Sequence, residues 1–533
     1  MSQPKQPTNY SALGTLVTVF FFWGFIAASN GIFIPFCKKY FQLSQFQSQL
    51  IDTAFYGAYY IGSYLLFLST ALSKIDILNK IGYRKGIIAG LCISIAGALI
   101  MIPAVNSGNF FFILGSFFVI ALGFSLQQTA AQPFAISLGD PSTGSHRLNL
   151  GGSVNSFGTT MGPLIVSIAL FGSVKEGAGG NADIGSIKSL YLIVAGVFLL
   201  AALIFIFSKR LPSSSFDEHV EKSNKALGSL TLMTLLLLGI TVIGHFTDLG
   251  KLELTSVALI LVAAILFYSL YAAKQGSGNG WGAMKYPQLI LGMIAIFVYV
   301  GVEVTIQSNM GALLKTDAFG AYNESHISPF ISLYWGSLMI GRWTGAVSVF
   351  NLTKQMKRLL TIVVPYIAFA IILLVNILRG NDVGNLYYYV ICIAVLIAAI
   401  FYGQEKPAKT LLTLAALASI AMVIGMLTTG IIATYAFMSG GLFCSMMWPC
   451  IFSLAVAGLG KYTSEGSAFL IMMILGGAII PPLQGALSDK MSIHTSYIVP
   501  MIGFMYLAWH AIKTRNVLKA QGLDFDSQIA GGH

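Results

Sequence analysis

Charge is scarce in this chain: only 9% of its 533 residues are Asp, Glu, Lys or Arg, whereas 56% are hydrophobic and the mean hydropathy is +0.79. Such a composition excludes an ordinary water-soluble domain. Cysteine is scarce too. The five, Cys37, Cys92, Cys392, Cys444 and Cys450, fall mostly within apolar runs and lack paired ligand spacing, so they read as small buried hydrophobes and no metal site is expected. Histidines at 146, 245, 494 and 510 are scattered without acidic partners at motif spacing, so no catalytic residue and no enzymatic activity is expected. The net charge of +11 is distributed over short loops rather than gathered into a patch. That pattern orients a chain in a membrane and argues against nucleic acid as a partner.

What remains is hydrocarbon. Apolar runs of about 20 residues, each long enough to cross a bilayer core of about 30 Å as a helix, recur from end to end. They are continuous rather than alternating, which excludes a membrane β-barrel. The fold class is therefore an all-α polytopic membrane protein. Six spans are expected near 12–35, 51–73, 83–104, 109–131, 150–172 and 188–208. A polar stretch, PSSSFDEHVEKSNK, then marks a linker. Two runs near 227–247 and 255–273 read as an inserted hairpin, followed by spans near 287–308 and 328–350. A second hairpin is expected near 359–379 and 386–402, and the chain closes with spans near 408–427, 429–455, 462–486 and 493–512. Basic residues at 74, 80, 84, 85, 209 and 210 place their loops in the cytoplasm, and with them both termini; Lys38 and Lys39 depart from this rule. The first run lacks a cleavage pattern and reads as a retained helix in a multi-pass protein of the inner (plasma) membrane.

Internal repetition sets the domain plan. FYGAYYIG at 55–62 matches YWGSLMIG at 334–341, QPFAISL at 132–138 matches WPCIFSL at 448–454, and the Gly158, Pro163 spacing matches that of Gly477, Pro482. The three matches fall in the same order. The interval from 336 to 449 exceeds that from 57 to 133 by about 37 residues, one helical hairpin at about 20 residues per crossing. Three segments follow: 1–211 as a six-helix half, 212–286 as a linker with a hairpin, and 287–533 as a second six-helix half with a hairpin near 359–402. The expected total is about sixteen transmembrane helices, and the chain is expected to act as a monomer.

The stretch at 126–158 carries the most specific resemblance. QTAAQPFAISLG followed by RLNLGGSVNSFG is similar to the fourth and fifth helices of the fucose:proton symporter and glucose/galactose transporter family of the major facilitator superfamily. FFFWGFIAASNGIFIP, AFYGAYYIG, VYVGVEVTIQS, LYWGSLMIGRWTG, SMMWPCIFSL and ILGGAIIPPLQGALSD extend it through both halves. The resemblance implies two six-helix halves carrying a sugar by alternating access. Two departures concern the energetics: where the fucose symporters have acids, this chain has Gly31 and Gln128, neither of which can carry a proton.

Ionisable and amide groups at membrane depth are costly and mark solute paths. Glu303 lies mid-helix within VYVGVEVTIQS; it is the candidate coupling group, the other reading being a structural partner for a neighbouring helix. Asn30, Gln127, Gln128, Gln132, Asn155, Gln307 and Gln484 supply donors and acceptors suited to sugar hydroxyls, against the alternative of helix-to-helix hydrogen bonds. Trp448, beside Pro449, offers a face for the apolar side of a pyranose ring. Arg84, Arg147 and Arg342 sit near cytoplasmic helix ends and read as gating residues. The expected partners are a small sugar and the lipid bilayer, and no cofactor is expected beyond a coupling Na+ or H+. Sodium ranks first, because a carboxylate among amides and carbonyls offers the oxygen ligands a hard cation takes. A proton-coupled or facilitative carrier, an amino sugar as cargo, and a non-transporting sensor on the same fold stay open.

Overall fold

The computed structural model describes residues 6–26, 28, 41–42, 45–171, 184–212, 219–247, 249–275 and 278–523. Among them the long helical segments are α1 (Tyr10–Ile26), α2 (Gln45–Ser73), α3 (Tyr83–Ser107), α4 (Phe110–Ser137), α5 (Gly144–Phe171), α6 (Ile184–Phe207), α7 (Asn224–Phe246) and α8 (Lys251–Gln275). The series continues with α9 (Pro287–Leu314), α10 (Glu324–Ala346), α11 (Lys354–Leu378), α12 (Gly384–Gly403), α13 (Pro407–Leu427), α14 (Gly430–Ala455), α15 (Gly460–Ser488) and α16 (Ile498–Ala520). One isolated bridge, Ile75 to His219, is the only β pairing among the described residues. The fold is all-helical.

Among the described residues eleven helices are long and apolar enough to cross a membrane, by length and composition, and α1 is a shorter apolar helix. Polar residues lower the apolar character of some others. In α16, for example, the run holds His510, Lys513, Arg515 and Lys519. The pairs α7–α8 and α11–α12 occupy the places expected for the two extra hairpins. Only 17% of the α7 span and 28% of the α8 span are buried, against 83% for α9, so the first hairpin presents most of its surface to hydrocarbon.

The chain forms two compact units. The first comprises residues Met1–Ser63, Ile81–Ser215 and Ser328–Ile393; the second comprises Tyr64–Lys80, Phe216–Ile327 and Ala394–His533. Each draws helices from both sequence halves.

In the first unit, glycine lets helix backbones meet. A Cβ on Gly24 would strike the carbonyl oxygen of Asn155, and one on Gly158 would strike that of Phe21, so α1 and α5 touch along their backbones. α3 and α4 approach in the same way: a Cβ on Gly123 would meet Ser94 Oγ and Gly90 O. Lipid tails are as apolar as Leu, so helices in a bilayer gain little from hydrophobic burial against each other, and small residues permit the close packing that holds them.

The second unit repeats the pattern. A Cβ on Gly476 of α15, one residue before the Gly477 that the repeat aligns with Gly158, would strike Phe297 O of α9. Close glycine contacts thus join α1 to α5 in the first unit and α9 to α15 in the second.

Substituting Gly123 by Val is expected to lower stability by about 1–3 kcal/mol through overpacking. Gly196→Ala, with nothing within 4 Å of the new Cβ, should leave it within about 0.5 kcal/mol. Thermal unfolding of the purified variants measures both; equal melting temperatures would mean that α3 and α4 are not in backbone contact.

Candidate functional site

α4 carries three glutamines, each in a different situation. Gln127 is fully buried, with its Oε1 accepting from Trp23 Nε1 at 3.1 Å and its Nε2 donating to Ser94 Oγ at 3.1 Å. Both ends of that amide join helices. One turn on, Gln132 is 5% exposed and its side chain has no hydrogen-bond partner among the described residues. Gln128 lies between these extremes: its Nε2 donates to Tyr59 Oη at 2.9 Å, and its carbonyl oxygen has no partner among the described residues. Gln132 therefore keeps its hydrogen-bonding capacity.

The second unit divides its amides in the same way. Gln484 of α15 is buried, accepting from Thr305 Oγ1 at 2.8 Å and donating to Ser496 Oγ at 3.1 Å. Gln307 of α9 is half-buried and makes no side-chain hydrogen bond among the described residues. Trp448 is half-buried, 6.1 Å from the Tyr299 ring and 6.2 Å from Phe452 between centroids. Glu303, on the same helix as Tyr299 and Gln307, is 9% exposed and is engaged by a neighbour. Asn30 and Gly31 lie outside the described residues.

The three arginines differ as well. Arg147 is 1% exposed and spends its guanidinium on the C-terminal end of α4: Nε donates to Ala135 O at 2.8 Å, and Nη2 donates to Ile136 O at 2.6 Å and Asp140 O at 2.7 Å. The last carbonyls of a helix are orphans, and a cation there is also favoured by the helix dipole. Arg84 does the same for α6, donating to Phe205 O at 2.9 Å and Ile206 O at 2.7 Å. Arg342 instead joins α10 to α5. Its Nη1 donates to Ser156 Oγ at 3.0 Å and reaches Asn155 Oδ1 at 3.4 Å, while Ser153 Oγ donates to Arg342 O at 2.8 Å and Trp343 Nε1 donates to Ser153 O at 3.1 Å. Asn155 also donates to Phe20 O at 3.1 Å, tying α1 into the same junction.

A second junction was missed in the sequence. Asp76, 3% exposed at the head of a short helix, accepts from Asn79 N at 3.0 Å and from Ser464 Oγ at 3.0 Å, and Asn79 Nδ2 donates to Lys461 O at 2.9 Å. Burial pushes the Asp76 carboxyl above the usual carboxylate range. Beside it Glu465, also 3% exposed, accepts from Ala283 N at 3.0 Å, so the linker is fastened here too. The clue was available: an acid in the first turn of the otherwise apolar run at 462–486 needs a donor at its own end of the membrane.

Close glycine contacts between helices, costly amides and arginine-held junctions build an all-helical polytopic membrane protein. A solved major facilitator transporter, FucP, in its outward conformation superposes with a TM-score of 0.63 at 22% identity, covering 94% of this chain and 98% of that one. The glucose/galactose transporter of Brucella abortus is 30% identical over 512 residues, 96% of each chain. The putative glucose/galactose transporter of Helicobacter pylori is 28% identical over 519 residues, and the L-fucose-proton symporter of Escherichia coli 24% over 504, covering 92% of this chain and 90% of that one. No family sequence profile matches. The chain belongs to the glucose/galactose transporter family, and its fold is that of the major facilitator transporter FucP.

Arg342→Ala removes the charged donor at the α5–α10 junction. Amide hydrogen exchange around 150–158 and 339–345 should rise about tenfold, with α3 unchanged, since hydrogen bonds to a charged group contribute about 1.5–3 kcal/mol. Unchanged exchange at 150–158 would show that the arginine does not hold the helices together.

Proposed function

We propose that the chain is a secondary active carrier of a monosaccharide, a hexose or a related sugar, working by alternating access in the inner (plasma) membrane. The observation that carries this reading is Gln132: an amide 5% exposed in a membrane helix, with no hydrogen-bond partner among the described residues, is suited to bind a polar solute. In the first unit Gln128, with its open carbonyl, is proposed to supply a further hydrogen bond; in the second, Gln307 is proposed as a hydrogen-bonding group and Trp448 as an aromatic face. Gln127 and Gln484 serve the sugar only indirectly, by fixing the helices that carry these groups. Two relatives named as glucose/galactose transporters support a hexose as cargo.

Glu303 is proposed as the coupling group, since Gln128 replaces the acid that the resemblance places in α4. Sodium is the first reading, because a carboxylate near amides and backbone carbonyls suits a hard cation. A proton is the second, favoured by the relative named as an L-fucose-proton symporter. The arginine-held junction of α5 and α10 lies at helix ends assigned to the cytoplasm by the basic loops, and is proposed as a gate that parts when the sugar is released inward. Arg84 and Arg147 pin helix ends on that side and support the gate without themselves opening.

Uptake into proteoliposomes under imposed sodium or proton gradients tests the reading. Gln132→Ala should raise KM about tenfold, equivalent to about 1.4 kcal/mol, with unfolding unchanged or slightly improved. Glu303→Gln should abolish accumulation against a gradient. Wild-type uptake indifferent to both gradients would remove coupling, and an unchanged KM in the Gln132 variant would remove it from the sugar site.

A further inference from the structure

The first unit holds an apolar groove of about 460 Å3 between α5, α10 and α11, within the range of ligand-sized clefts of about 300–1,000 Å3. Leu150, Phe157, Trp343 and Phe350 line it from the transporter core, and Leu360 and Val364 from the inserted helix α11. Its one hydroxyl, on Ser153, is already spent on Asn149 O at 2.7 Å and Arg342 O at 2.8 Å. A sugar would find no partners there. A hydrocarbon chain would.

The head of α11 supplies the opposite chemistry. Lys354, Lys357 and Arg358 fall within its first two turns, and no acid occurs anywhere from 346 to 381. Lys357 lies three residues before Leu360 and seven before Val364, which places it on the same helical stripe as the two groove residues. Around that stripe, Met356, Leu359 and Ile362 are 45%, 53% and 45% exposed, as expected of a helix bathed in lipid. Cationic side chains next to a membrane surface attract anionic headgroups, while their stems run along apolar surface.

We propose that this groove is a specific site for one anionic phospholipid of the surrounding bilayer, with an acyl chain against Phe157, Trp343 and Phe350 and the phosphate held by Lys354, Lys357 and Arg358. The occupant would lie beside the Arg342 junction. Trp343 both lines the groove and donates to Ser153 O, so the lipid touches the helix pair whose separation alternating access requires. The second inserted hairpin then has a function of its own: α11 completes a lipid seat that α5 and α10 alone would leave open.

Trp343 is its own reporter. The full chain is reconstituted in phosphatidylcholine bilayers containing equal mole fractions of either brominated phosphatidylglycerol or brominated phosphatidylcholine, and tryptophan fluorescence is compared with that of Trp343→Phe, so that the difference isolates Trp343. The expected result is quenching of the Trp343 component about fivefold or more stronger by the anionic lipid, the preference that roughly 1 kcal/mol per cationic contact provides. Replacing Lys354, Lys357 and Arg358 together by Gln should remove the preference and leave the background quenching. Equal quenching of wild type by the two lipids would overturn the proposal, leaving ordinary boundary lipid. A preference that survives in the triple variant would overturn the assignment of the headgroup to α11. The wild-type comparison stands whether or not the variant folds.

Discussion

Inside a bilayer a polar group has no water to fall back on, so it must find a partner in the protein or hold a place for a solute. That constraint sorts the side chains of this transporter. Gln127 and Gln484 are spent at both ends, on Trp23 and Ser94 in one case and on Thr305 and Ser496 in the other. Gln132 has a partner at neither end among the described residues. The same residue type at similar depth thus meets two situations, and only its hydrogen bonds tell them apart.

Backbone polarity obeys the same rule. Arg147 is buried to 1% exposure, an arrangement tolerable only because the carbonyls ending α4 lack helical partners and need donors. Arg84 meets the same need at the end of α6. Arg342 reaches side chains of another helix, Ser156 and Asn155, where Arg147 and Arg84 reach backbone carbonyls at helix ends.

Much of this was legible in the sequence, because hydropathy at membrane depth leaves few choices. The spans near 83–104, 287–308 and 408–427 appear as Tyr83–Ser107, Pro287–Leu314 and Pro407–Leu427, and the hairpins near 227–273 and 359–402 appear as α7–α8 and α11–α12. What hydropathy could not tell was rotation. Gln127 and Gln132 are five residues apart, so about 140° of helical turn separates a residue facing α3 from one without a partner, and no composition rule sets that angle. The Asp76–Ser464 pairing was illegible for another reason: its members are 388 positions apart and neither carries a motif.

The central claim is that the amides of this fold serve a solute that crosses, rather than one that merely binds. Counterflow measures it most directly. Proteoliposomes preloaded with unlabelled glucose or galactose and diluted into labelled sugar should take up label transiently above its equilibrium level, because a carrier returns its site loaded from either side. Sugar binding to the purified protein without such an overshoot would contradict the account and leave a sensor in place of a carrier.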